Sequence, residues 1–551
     1  MVRRASARLQ LEFRNLDDAL AWAEASGASA EMLRLVTALS LFYELRGHLA
    51  HGGRWFDRAL AAAPAHPSAL RARALWGAAH VGFYGGNYAA AATRGADALA
   101  MGEAIADKWA TARALNTLGV LQALSTPTLA RDMLTRSIEL GAAIDDQWAV
   151  ADGWKMVTVA WYVQHADHDA RPALAALYRI GDALGSRFFL AWHQSMVGYF
   201  ARDRGDYDAA RTAFTLSLEY CHYVGDPSTG GFSEAWSAAL DADLGDVDQA
   251  KQRLQHLLAT AAVSGSELAV PEALFALARI LIAEGDSAQA RRLLAPQVEA
   301  FRDARVASWA GQLYIALGAA CRVCGDLPSA LAALDEASAL ASSLANPLMD
   351  SLILFERAQL ADMAGDNGQA EDLLHAALNI QASSGLRPSA IATLESLAAI
   401  AARADSSVES VHVLAASESL RSSIGLVRGS AEANANSVLL ADLRGGLGNV
   451  AFDAHWTSAS KLGLVEVVEY VSRARGTRKR PTSGWPSLTP TELRVATLVA
   501  EGLTNPQIGT RMLIARGTVK IHLAHIFDKL EVSTRAQLAA MVTTRGIADS
   551  V

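Results

Sequence analysis

Hydrophobic positions along this chain recur at steps of three and four almost from end to end, and no run alternates at a step of two. That spacing places apolar side chains on one face of a helix and predicts an all-α chain. Within residues 1–50, Leu16, Ala19, Leu20 and Ala23, then Leu33, Val36, Leu39 and Phe42, form such stripes, a helical lead-in. A longer period follows. Alanine stands at 90, 130, 170, 210, 250, 290, 330 and 370, every forty residues. Four residues after all but the first comes a large apolar residue: Leu134, Leu174, Phe214, Leu254, Leu294, Leu334 and Leu374. Gly-Asp begins at 205, 245, 285, 325 and 365, and glycine or alanine recurs at 198, 238, 278, 318 and 358.

The joint pattern is that of a helical hairpin. Gly-Asp turns the chain and caps the second helix. The small residues let the two helices approach, and the large one fills the groove between them. One hairpin cannot bury its face alone, so stacked hairpins make a curved solenoid with a concave surface. This pattern resembles the tetratricopeptide repeat, stretched to forty residues by longer helices, and it covers residues 51–427. Asn87-Tyr88 and Asp206-Tyr207 at the turns fit it. Residues 428–472 read as a terminal helical cap, with Ala451 to Trp456 and on to Val471. Residues 473–487 are basic, rich in breakers and without periodicity, so they predict a flexible linker whose five charges add non-specific phosphate contacts.

Residues 488–551 predict four short helices. Thr489, Pro490 and Glu492 are a helix start, Leu493, Ala496, Leu498 and Val499 its buried stripe, and Gly502 its stop. Thr504 caps a second helix, with Ile508 and Met512 or Leu513 facing inward. In the third, Val519, Leu523, Ile526 and Leu530 form the inner face; Ser533 or Thr534 opens the fourth. A short helix, a tight turn and a longer helix with a basic-polar outer face is a helix-turn-helix, whose second helix fits the major groove. The stretch resembles the LuxR-type (GerE-like) DNA-binding domain. Leu488-Thr489, Glu492, Ala500-x-Gly502, Asn505, Ile508, Thr518-Val519-Lys520, His522, Ile526, Lys529-Leu530, Val532 and Arg535 carry the likeness.

That resemblance implies a DNA-contacting set of Asn505, Thr518, Val519, Lys520, Ile521, His522, Ala524, His525 and Lys529. Lys520 and Ile521 would face base edges with Ala524 close by; Thr518, His522, His525 and Lys529 would lie near phosphates. Glu492 and Arg535 would pair internally, holding the first helix to the fourth. Ala515 stands where the family usually has a capping serine, and Gly509 where it usually has alanine, each a loss of about 1 kcal/mol. Family members pair through the fourth helix, so Leu538, Met541 and Val542 are either that face or core. A second copy on DNA and RNA polymerase are the further partners this implies. Upstream, residues 1–472 resemble more loosely the helical region of large ATP-dependent LuxR-family regulators.

Charge sharpens the division. From Arg473 onward there are 12 Lys and Arg against 5 Asp and Glu, a net of +7, while the preceding residues carry −15. An acidic body with a basic end fits a nucleic-acid module joined to something that does not itself bind DNA. No apolar run follows Met1-Val-Arg-Arg, and none approaches twenty residues, so neither a signal peptide nor a membrane span is expected. Three cysteines fit a reduced cytoplasmic setting. Cys321-x-x-Cys324 lacks the second pair that zinc would need, and His165-Ala-Asp-His168-Asp lies at an exposed turn. Tryptophans 109, 148, 154, 161, 192 and 236 either line the concave face or, as favoured here, fill gaps between helices. No GxxxxGK[ST] phosphate loop and no nucleophile–base set is present, so no enzyme, cofactor or metal is expected. The reading is a DNA-binding transcriptional regulator whose solenoid receives a protein or small-molecule signal. Its rival is an interaction scaffold with a vestigial end domain.

Overall fold

The computed structural model describes residues 8–264, 267–303, 306–478, 484–512 and 514–544. Every regular element among them is a helix. They divide into two compact units, Met1–Val467 and Val468–Val551.

The first unit is a stack of hairpins, from Ala69–Tyr84 with Tyr88–Ala104 to Arg387–Arg403 with Ser407–Ile424. Stacking begins before residue 51, because Ser29–Ala38 and Ser40–Leu45 pack against Leu49–Ala62 as a hairpin of their own. Alanines 130, 170, 210, 250, 290, 330 and 370 are all fully buried. The first repeat is one residue out of register: its turn falls at Gly86, so Ala91 takes the buried place and Ala90 is half-exposed. Asp206, Asp326 and Asp366 cap their helices by accepting the N–H of Ala209, Ser329 and Gln369. A Cβ at Gly198 would lie 2.6 Å from the Phe214 ring, and one at Gly318 would lie 3.0 Å from Leu334. These glycines are where the large residue of the second helix enters the first.

Left-handed residues recur at twenty-residue steps: His165, Gly185, Gly205, Gly225 and Gly245, then Gly325, Ala345, Gly365, Gly385, Asp405 and Gly425. One helix and one turn thus take twenty residues, and the period of forty is two such pieces.

The hairpins wind into a superhelix whose successive turns touch. The Ser308 N–H donates to the Leu124 carbonyl at 3.0 Å, and the Val427 N–H to that of Asp243 at 2.8 Å. Asn346 donates its side-chain amide to the Val163 carbonyl at 2.8 Å. With these partners 183 residues apart, a superhelical turn takes roughly four and a half repeats.

So tight a coil packs much of its own concave face. The Tyr162 hydroxyl and the Trp236 indole N–H both donate to Glu272, which is buried. Lys155, 4 % exposed, holds its ammonium 3.2 Å from the Tyr84 hydroxyl and over the Phe188 ring. Trp192 and Trp236 are buried and Trp109, Trp148, Trp154 and Trp161 half-buried. His165 is not at an exposed turn: it is buried, with Nδ1 3.1 Å from the Tyr199 hydroxyl and Nε2 3.3 Å from Asp203. Cys321 is buried and Cys324 exposed, both as free thiols. Among the described residues no group of side chains is placed to hold a metal ion, and no helix is long and apolar enough to cross a membrane.

Ser430–Leu447, Asn449–Ala459 and Leu464–Arg478 follow the last hairpin. The last of these runs into the stretch expected to be a linker, because Arg473 to Arg478 contain only one glycine and otherwise continue a helix begun upstream. Residues 479–483 of that stretch lie outside the described residues.

Candidate nucleic-acid interface

The second unit is built on four helices: a scaffold helix Pro490–Ala500, a support helix Asn505–Met512, a recognition helix Arg516–Leu530 and a terminal helix Arg535–Thr544. Thr489 and Glu492 form a reciprocal capping box: the Glu492 N–H donates to the Thr489 hydroxyl at 3.1 Å, and the Thr489 N–H to the Glu492 carboxylate at 2.8 Å. Gly502, at φ +83°, turns the chain after the scaffold helix. The core is Val495, Ala496, Leu498, Val499, Ile508, Val519, Leu523, Ile526, Leu530, Leu538 and Val542, with Trp485 of the 3₁₀ turn Trp485–Ser487 packed against it. Leu538 and Val542 are fully buried, which settles them as core; Met541 alone of that trio is exposed.

The recognition helix divides cleanly. Val519, Leu523, Ile526 and Leu530 face inward. Lys520, Ile521, Ala524 and His525 point away and are exposed, Ile521 at 57 %; Thr518 and His522 are half-buried beside them. Val519, counted above among DNA-contacting positions, is fully buried and offers no surface.

Three other expected roles change. Glu492 does not pair with Arg535. Its carboxylate lies 2.7 Å from the Lys529 ammonium and 3.8 Å from His525 Nδ1. Lys529, expected at a phosphate, is therefore half-buried and neutralised within the domain, binding the recognition helix to the start of the scaffold helix. Burial works to raise the Glu492 pKa, but the bonds from Lys529 and Thr489 outweigh it and hold the carboxyl below its ordinary value. Arg535 instead donates to Asn505 Oδ1 at 2.9 Å and to the Leu503 carbonyl. That occupies Asn505 in fastening the support helix to the terminal helix.

Arg516 was not among the expected contacts. It is exposed in the first turn of the recognition helix, one turn before Lys520, and nearby Arg511 is exposed too. The i, i+4 spacing of Arg516 and Lys520 was the available signal. Ala515 makes no side-chain cap, so the first amides of this helix carry no side-chain acceptor from that position.

Gly509 is buried against the turn between the support and recognition helices, where a Cβ would lie 2.8 Å from the Ile514 carbonyl oxygen. Gly509→Ala therefore does not recover the helix propensity of about 1 kcal/mol. Overpacking against backbone outweighs it, for a net loss of about 1 kcal/mol. Hydrogen exchange in Arg516–Leu530 checks this: exchange is expected to quicken, and added protection would contradict it.

Residues 486–542 match the family described as bacterial regulatory proteins, luxR family. The C-terminal domain is a LuxR-family domain. A Mycobacterium bovis protein named "Putative HTH-type transcriptional regulator Mb0914c" is 27 % identical over 588 aligned residues, covering 98 % of this chain and 62 % of that protein. The chain thus spans less than two thirds of this relative. Against the transcriptional regulatory protein LiaR of Bacillus subtilis, the LuxR-family domain is 49 % identical over 53 residues, 10 % of this chain and 25 % of LiaR. The structure of a Rap protein complexed with Competence and Sporulation Factor aligns at TM-score 0.48 and 12 % identity, over 64 % of this chain and 99 % of that one.

Proposed function

We propose that the chain is a transcription regulator that binds a specific DNA site through the outer face of Arg516–Leu530 and receives a protein or small-molecule signal on its solenoid. The observation that carries the first half is the exposed row of Lys520, Ile521 and Ala524 on a helix whose opposite face is a dry core. In a major groove, Lys520 donates to guanine O6 or N7 and Ile521 contacts a thymine methyl, while the small Ala524 lets the helix approach the bases. Arg516, Thr518, His522 and His525 flank that row and are assigned to phosphates. Asn505 and Lys529 act indirectly, by fixing the helices that set the recognition helix's angle. The mycobacterial relative, named an HTH-type transcriptional regulator, supports the regulator part of the reading.

Fluorescence anisotropy of the full chain on a selected duplex and on a scrambled one tests it. Affinity is expected to fall with salt, by a log–log slope of about −0.9 for each phosphate neutralised, and the selected duplex to bind at least about a thousandfold tighter. Equal affinity for both duplexes would overturn the proposal.

A further inference from the structure

A cavity of about 550 Å³ opens in the second half of the solenoid, where the concave face is not packed shut. On one side lie Arg187–Asp203, Pro227–Asp243 and Val270–Ala283; on the other lie Pro347–Met363, Arg387–Arg403 and residues 426–432. The walls therefore belong to two successive superhelical turns, joined here by the Val427–Asp243 backbone bond. A volume of this order suits a drug-sized molecule rather than a folded partner.

Phe275, Leu352, Phe355 and Leu386 make much of the wall apolar. The charged groups around them are mostly paired. Arg202 lies 2.7 Å from Asp243, Glu356 2.8 Å from Arg322, and Arg421 and Arg428 share Glu395 at 2.7 and 2.5 Å. Glu272 receives its two hydrogen bonds from Tyr162 and Trp236. Asp203 lies beside His165 and the Arg202 cation. Arg279 differs: it lines the cavity, is exposed, and has no hydrogen bond or ion pair among the described residues, its guanidinium resting 5.9 Å from the Phe275 ring centre. Gln381 is 1 % exposed and lines the same cavity, yet its side-chain Oε1 has no hydrogen-bond partner among the described residues. A buried amide oxygen without a partner is costly unless a ligand or water completes it.

We propose that this cavity binds a small monocarboxylate with an apolar body, its carboxylate on Arg279 and a hydrogen-bonding group reaching Gln381. This deepens the receiver role proposed above by naming the ligand class, and it rests on that reading. One free guanidinium matches one carboxylate in charge and geometry. A dianion such as a phosphate ester would find one unpaired cation, Arg279, because Arg202, Arg421 and Arg428 in the same wall are already held by carboxylates. A cationic ligand would face Arg279 unscreened. A neutral apolar ligand would leave that cation and Gln381 unused. Because the walls come from two superhelical turns, a bound ligand bridges them and stiffens the coil at its last hairpin.

Isothermal titration calorimetry of the full chain, with a panel of medium-chain and phenyl-substituted carboxylates bearing a hydroxyl or amide donor on the body, and the alcohols and amines of the same skeletons, tests this. At least one carboxylate is expected to bind one to one, about tenfold or more tighter than its alcohol, a difference of about 1.4 kcal/mol. Arg279→Met, at an exposed position that the fold does not need, is expected to bring the carboxylate down to the alcohol. Ala392→Trp, which fills the cavity from a half-exposed position, is expected to remove both. Circular dichroism identical to the parent's establishes that both variants fold. No binding by any carboxylate, or equal binding of acid and alcohol, would overturn the proposal, and so would an unaffected Arg279→Met. Such a failure beside intact site-specific DNA binding strikes the ligand class alone; carboxylate binding without DNA specificity strikes the regulator reading instead.

Discussion

Glu492→Ala is expected to cost the C-terminal unit about 3 kcal/mol and with it DNA binding. The substitution removes half of a capping box, worth about 1 kcal/mol. It also strands the Lys529 ammonium, half-buried and 2.7 Å from where the carboxylate was; breaking such a pair from one side costs more than the pair itself contributed. A unit this small has little stability to spare. Hydrogen exchange in Pro490–Ala500 and Arg516–Leu530 is expected to approach that of an unfolded chain, while solenoid helices keep their protection. The carboxyl's lowered pKa adds a sign. A depressed carboxylate contributes stability that is fully present above its unfolded pKa, near 4.3, and is lost as pH falls through the folded value. Glu492→Gln is therefore expected to show its deficit at neutral pH, and the deficit should shrink in acid. A pH-independent deficit would mean that the Glu492 charge does not stabilise the domain.

Phe214→Ala is expected to have the second large effect, at the centre of the solenoid. Its ring is fully buried and occupies the space that Gly198 leaves on the facing helix. Truncating it loses transfer free energy and opens a cavity that a rigid hairpin cannot close, about 3–5 kcal/mol. In a repeat array such a loss is felt locally, since each repeat's stability rests on itself and its neighbours. Protection of Arg187–Asp203 and Tyr207–Val224 is expected to drop by about two to four orders of magnitude, with the LuxR-family domain unchanged. Gly198→Ala pushes the same contact the other way and is expected to destabilise by overpacking. Unchanged exchange in both variants would mean that the hairpin seam does not hold the repeat.

The seam was legible in the sequence because its signal is local: alanine, a large residue four later, and a small residue on the facing helix sixteen before that large one. The capping box was legible for the same reason, since Thr489 and Glu492 lie three residues apart. The superhelical closure was not. It joins Asn346 to Val163 across 183 residues, and its pitch is the sum of small rotations that no single repeat encodes in its pattern. The closed concave face and its remaining cavity follow from that pitch and stayed hidden with it. Within the C-terminal unit, helical period separated Val519 from Lys520, whereas the family likeness grouped them. Partner choice among Glu492, Lys529, Asn505 and Arg535 depends on which helix ends meet, and spacing along the chain does not carry that. The spacing of Arg516 four before Lys520 was visible, but only the helix start at Arg516 puts the two in line.

Sequence reading by the outer face of Arg516–Leu530, as proposed, is the step on which the regulator role depends. Genome-wide selection of DNA fragments by the purified full chain, beside a Lys520→Ala, Ile521→Ala double variant, tests it most directly. Both side chains are exposed, so the variant keeps its fold and its phosphate-facing groups. The parent chain is expected to enrich a short, partly symmetric site, and the double variant, still binding DNA weakly and in a salt-sensitive way, to enrich none. Equal, unselective recovery of fragments by both proteins would contradict it and leave the solenoid as an interaction scaffold with an end domain that no longer reads sequence.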